Sequence, residues 1–170
     1  MTRIEAAPSS EDASPDVTPS LTPASTPAST TPANPLDDHL GYQLRRASSF
    51  LMGVLAQRLS LIALTPSEAS VIILIAGNDR IIQSEIGRIL GIQRANMVPL
   101  TASLERRGLI EREHIGGKAF GLTVTANGRR AAEDAQQVML EHEREFFGAL
   151  PPSSRTLLTD LLGAVWKKGE

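Results

Sequence analysis

A chain of 170 residues with a net charge of −2 accommodates one ordinary domain with or without a tail, and its lack of cysteine excludes disulfides, thiolate metal sites, cysteine nucleophiles and thiol redox sensing. The longest apolar run, Val71 to Ala76, falls far short of the roughly 18 residues a membrane span needs. With no basic-then-apolar leader at the start, the expectation is a cytoplasmic protein without a membrane partner. The small net charge hides an uneven distribution: residues 80–130 hold nine Lys or Arg against four Glu, while both ends of the chain are net acidic. A polyanion partner is therefore to be sought in that central segment.

Residues 1–36 are rich in Pro, Thr, Ser and Ala and hold seven prolines. Proline removes donors and forbids helix, and the few apolar side chains cannot offset the entropy of ordering. The expectation is a disordered, partly polyproline-II tail whose acidity makes it a poor DNA arm. From Asp37 to about residue 62, Leu40, Leu44, Ala47, Leu51, Val54, Leu55 and Leu59 recur at helical spacing, with Asp37 and Asp38 at the end that favours negative charge. Thr65-Pro66-Ser67-Glu68 opens a second helix: Thr65 caps, Pro66 fits the first helical position and Glu68 completes a capping box. That helix stops near Gly77-Asn78. A third, short helix fits Gln83 to Leu90, with Ile86, Ile89 and Leu90 inward and Gly91 ending it. A fourth starts near Gln93 or Arg94 and ends at Gly108. The period then becomes alternating. Leu109 to His114 and Ala119 to Thr125 are two strands, with Phe120, Leu122 and Val124 on one face and Gly116-Gly117 as the turn. Thr125 caps a fifth helix reaching about Phe147. Pro151-Pro152 breaks the chain, and Ser153 or Ser154 caps a sixth helix carrying Leu157, Leu158, Leu161, Leu162, Val165 and Trp166.

Helix, helix, short helix, turn, helix, hairpin is the order of a winged helix-turn-helix: mainly α, with a small β-hairpin wing. The turn Gly91-Ile92-Gln93 sets two helices at a steep angle, the second placed for a major groove and the hairpin for the neighbouring backbone or minor groove. Arg88, Arg94, Arg106, Arg107, Arg112 and Lys118 all fall in this unit, where phosphate neutralisation gives them a physical use.

Leu64-Thr65-Pro66, Ile86-Gly87-Arg88-Ile89-Leu90-Gly91-Ile92, Leu104-Glu105-Arg106-Arg107-Gly108-Leu109-Ile110-Glu111-Arg112 and Leu122-Thr123-Val124-Thr125-Ala126-Asn127-Gly128 together resemble the MarR family of transcription regulators, over about residues 39–168. The resemblance implies a triangular obligate homodimer that binds a pseudo-palindromic operator in double-stranded DNA, usually as a repressor released by a small ligand. It implies a helical dimerisation region built from residues 37–62 and 129–170, around a DNA-binding lobe over 63–128. Two departures stand out. Where relatives often carry an Asp-x-Arg or Asp-Arg pair at the wing tip, this chain has Gly116-Gly117-Lys118, and Lys lacks the planar fork of Arg. Pro99 lies within the expected recognition helix, so either its first turn is distorted or the regular helix starts later with Asn96 as cap.

These readings nominate Gln83, Ser84, Gln93, Arg94, Asn96, Met97, Arg106 and Lys118 for DNA contact. Arg94 suits guanine and Asn96 adenine, both bidentately. Gln83 and Ser84 are phosphate ligands or caps. Arg106 and Arg107 divide between phosphate contact and the helix dipole. In the family, ligands lodge between the dimer helices and the lobe. Tyr42, Arg45 and Arg46 are the candidates to line such a cleft, for an anionic aromatic or acyl-CoA effector; surface or dimer ion pairs are the alternative. Three scattered histidines, His142 with Glu145 among them, give no clustered metal set, and no cofactor is expected. No catalytic constellation is present, so an enzyme is not expected. The rival readings are a winged-helix protein-interaction module and an activator without a small-molecule effector.

Overall fold

The computed structural model describes residues 33–117 and 119–167; the tail expected over residues 1–36 lies outside them but for its last four residues, as does Lys118. In chain order the elements are α1 (Leu40–Ser60), α2 (Pro66–Ala76), α3 (Gln83–Leu90), α4 (Arg94–Arg106), β1 (Ile110–Gly116), β2 (Ala119–Val124), α5 (Ala126–Phe147) and α6 (Pro152–Trp166).

The centre is α2. Its run Val71–Ala76 is apolar on every side because the helix touches α1, α3, α4, α5 and β2. Its start follows the local chemistry: the Thr65 side chain accepts from the Glu68 N–H at 3.2 Å, and the Glu68 carboxylate accepts from the Thr65 N–H at 3.0 Å. Its Val71, Ile72 and Ile75 are fully buried, and the fully buried Leu59, Ile86, Met97, Thr101, Leu104 and Leu122 come from the surrounding elements.

From α3 the chain turns into α4 through Gly91, whose φ of 63° is the left-handed conformation that glycine enters without strain. β1 and β2 pair antiparallel from Ile110↔Val124 to Gly116↔Ala119, with an irregularity between His114 and Gly116. Gly116 (φ 124°) and Gly117 (φ 55°) make the turn. A single bridge from Ile81 to Leu122 fastens the hairpin to the segment before α3.

Three local expectations change. Asp37 and Asp38 precede α1, whose N-cap is His39, because the segment closes a turn in which the His39 N–H bonds the Leu36 carbonyl at 3.0 Å. Ile89 is 47% exposed: the short α3 buries Ile86 and Gly87 and turns Ile89 away. The hairpin face itself is as expected: Phe120 is half exposed near its projecting end, and Leu122 on the same face is buried. Neither Ser153 nor Ser154 caps α6. Pro152 takes its first position, where a missing N–H costs nothing, and the Pro151 carbonyl accepts from Ser154 and Arg155.

α6 stands apart from this packing. None of its residues is buried, and Leu157, Leu161, Val165 and Trp166 are each more than half exposed.

Candidate nucleic-acid interface

α4 begins at Arg94. The Gln93 carbonyl accepts from the Asn96 N–H at 2.9 Å and the Met97 N–H at 3.1 Å, so the first turn is regular and Asn96 is not a cap. Pro99 rides inside the helix, where it offers no N–H to the Ala95 carbonyl. Met97, Thr101 and Leu104 form the inward stripe. Met97 is 1% exposed, which corrects its nomination: its side chain anchors α4 in the core and presents almost no surface at the floor of the cleft beside α3. Thr101 donates to the Met97 carbonyl at 3.1 Å and makes a longer contact, 3.4 Å, with Gln83 Oε1 at the start of α3.

The outward face of α4 borders two clefts. One, of about 750 Å³, lies between α3, α4 and the hairpin; Gln83, Ser84, Arg88, Arg94, Val98, Arg112 and Phe120 line it. The other, of about 740 Å³, lies on the α2 side and takes Gln93 and Asn96 together with Thr65, Glu68 and Ser103. The structure thus brings Gln83, Ser84 and Arg94 to one place and puts Gln93 and Asn96 across the same helix. The N-cap of α3 is Ile82, so neither Gln83 nor Ser84 is used as a cap. Arg106 ends α4, about 18 Å along the axis from Arg94, and borders neither cleft.

Ion pairs thin the positive segment. Arg80 bonds Glu113 at 3.0 Å, and Arg112 grips both oxygens of Glu105 at 2.8 and 3.2 Å. Arg107 reaches the Ala63 carbonyl at 2.7 Å and Glu68 at 3.5 Å, so it ties the end of α4 to the α1–α2 turn and is spent on structure. Arg88 and Arg94 are exposed and form no ion pair among the described residues. Sequence reasoning counted Arg88 among the basic residues of the unit without nominating it for the site, and it missed Val98 and Phe120. The available signal was the four-residue spacing from Arg94 to Val98, which puts both on one helix face.

Glu68 is buried, 8% exposed, below the second cleft. Burial pushes its carboxyl pKa up, but the Thr65 N–H, the Ser103 and Thr65 hydroxyls and the Arg107 charge together hold it below its ordinary value.

On α1, the guanidinium carbons of Arg45 and Arg46 lie 5.2 and 5.7 Å from the Tyr42 ring centre. The three form a cluster, yet none borders either cleft. Further along, Arg58 of α1 pairs with Glu145 of α5, and the buried His142 rests against Phe146 with ring centres 4.8 Å apart. Desolvation first, then the Arg58 charge, lower the pKa of His142.

A helix-turn-helix beside a β-hairpin, with Arg88 and Arg94 exposed and without an ion pair among the described residues in the cleft between them, defines a winged helix-turn-helix protein. A family model described as the MarR family matches residues 64–118. A structure of the transcriptional repressor CouR is 30% identical, covers 78% of this chain and 95% of its own, and superposes with a TM-score of 0.70. The chain belongs to the MarR family of transcriptional regulators. A MarR-family regulator from Rhodococcus sp. RHA1 shares the fold at 23% identity and a TM-score of 0.72, covering 78% of this chain and 97% of its own. A candidate regulatory protein for the hcr operon of Thauera aromatica is 24% identical over 132 residues, 76% of this chain and 80% of its own. CouR structures at 30% identity include complexes with p-coumaroyl-CoA and with a 23-mer DNA duplex. No helix among the described residues is long and apolar enough to cross a membrane.

Proposed function

We propose that this chain is a homodimeric, ligand-responsive repressor that acts in the cytoplasm, without enzymatic activity, on a pseudo-palindromic operator. The observation that carries the reading is the cleft between α3, α4 and the hairpin, where Arg88 and Arg94 stand exposed without an ion pair among the described residues. In this reading the lobe over 63–128 enters the major groove with the first turns of α4, and residues 37–62 and 129–170 hold the dimer. The open apolar surface of α6 supports a second copy as its cover. The effector is an anionic aromatic compound or acyl-CoA. The CouR complex with p-coumaroyl-CoA supports that class, and the Tyr42, Arg45 and Arg46 cluster offers cations and a ring for it. Ligand shifts the population toward a dimer whose recognition helices no longer match half-sites one helical turn apart.

The test is fluorescence anisotropy with the duplex upstream of the chain's own gene against a scrambled duplex, over a salt series, then with p-coumaroyl-CoA added. Tight, salt-steep, sequence-preferring binding that the thioester releases is the expected result. Equal weak binding to both duplexes would instead favour the protein-interaction module, and preferential binding that no thioester alters would favour a regulator without this effector.

A further inference from the structure

The cleft beside α4 mixes charge with exposed apolar surface. Val98 is 53% exposed, lines the cleft with Arg88, Arg94 and Phe120, and lies off the inward stripe of α4, which is Met97, Thr101 and Leu104. Val98 stands one turn beyond Arg94, on the same face of the helix. Flanking guanidinium groups make a polyanion the complementary occupant. Among the groups a DNA major groove displays, nearly all are hydrogen-bond donors or acceptors that a valine cannot use. The one apolar group is the C5 methyl of thymine.

We propose that Val98 reads a thymine methyl in the half-site whose base edge Arg94 contacts, an inference that rests on the DNA-binding reading above. Val98 then contributes specificity without a hydrogen bond.

The full-length protein is footprinted on the duplex upstream of its own gene. The protected duplex is then resynthesised with deoxyuridine replacing thymidine one position at a time, which removes the methyl and keeps every hydrogen-bonding group. One thymine per half-site is expected to cost the wild type about fourfold in affinity on replacement, the worth of one buried methyl group. In Val98→Ser, a change between residues of similar helix propensity on an exposed position, thymine and uracil at that position are expected to bind alike. Two results overturn the proposal: no position at which uracil weakens the wild type, or a penalty that survives in full in Val98→Ser. A duplex that is protected but indifferent to uracil sinks the Val98 proposal alone; the absence of protection on any duplex sinks the DNA-binding reading with it.

Discussion

Gly87 sets how closely α3 and α4 approach. A Cβ built there would lie 2.9 Å from the Ile92 carbonyl oxygen and 3.3 Å from Met97 Cγ, and the first of these is backbone that cannot swing aside. Within a helix, glycine to alanine ordinarily gains up to about 1 kcal/mol. Overpacking costs about 1–3 kcal/mol, so Gly87→Ala is predicted to be a net loss in urea denaturation, with a larger loss in DNA affinity because the angle presenting α4 must open. Glu68 is the second residue whose surroundings dictate a measurable outcome. Its carboxylate is held charged by Thr65, Ser103 and Arg107, and its pKa is lower in the folded chain than in the unfolded one. The unfolded chain therefore takes up the proton first as pH falls. The stability Glu68 supplies is full above the ordinary carboxylate pKa and is lost as pH drops through the depressed folded value. Glu68→Gln is predicted to be less stable than wild type by about 1–3 kcal/mol at neutral pH, with the gap closing in acid. Chemical denaturation at pH 7 and below pH 4 measures it, and a gap independent of pH would contradict the assignment.

The elements were legible where local chemistry decides them. Thr65 with Glu68, Gly91, and Thr125 accepting from the Gly128 N–H each start or stop a helix through partners three or four residues away. What was not legible depends on distant residues. Met97 and Val98 are adjacent on α4, and only the packing of α2 and α3 against that helix decides that Met97 is core and Val98 is open. Arg107 and Arg106 are neighbours too. The first is consumed by Ala63 and Glu68 from a turn more than thirty residues earlier in the chain, a pairing no local pattern announces. Pro99 shows a propensity overruled: the helix continues through it, with Met97, Thr101 and Leu104 fastening both sides to the core. The same geometry separates the two ends of α4 functionally. Arg94→Ala is predicted to cost about 1–3 kcal/mol of operator affinity, the worth of a bidentate base contact. Arg106→Ala, at the far end of the helix and outside both clefts, is predicted to stay within about 0.5 kcal/mol of wild type. A salt titration of both variants on one duplex decides between this polarity and a uniformly used helix.

At the scale of the whole molecule, α6 and the first half of α1 carry apolar side chains that nothing among the described residues covers, which is what the proposed dimer uses. Leu40 is 83% exposed, and along α6 Leu157, Leu158, Leu161, Leu162, Val165 and Trp166 all remain open to water. Fully burying a leucine-sized side chain is worth about 1.5–3 kcal/mol, so covering such a helix supplies more than enough to hold two chains together. A patch of that kind left bare is an association site by default. Because α6 contributes no buried residue to its own chain, charge placed on it tests assembly without touching the lobe. Leu157→Asp with Leu161→Asp is predicted to yield a monomer by light scattering, with the lobe retaining its near-native helical signal. The functional consequence follows from tethering. Two lobes held at a fixed spacing bind the second half-site intramolecularly, and separating them forfeits about 10²–10⁴ in operator affinity with no contact to DNA altered. Arg94→Ala and the α6 double variant should therefore fail in different ways. The first weakens an isolated half-site as much as each half of the full operator, whereas the second leaves half-site affinity at the wild-type value and removes only the gain from pairing. A dimer that survives both aspartates would place the interface elsewhere, on the open face of α1.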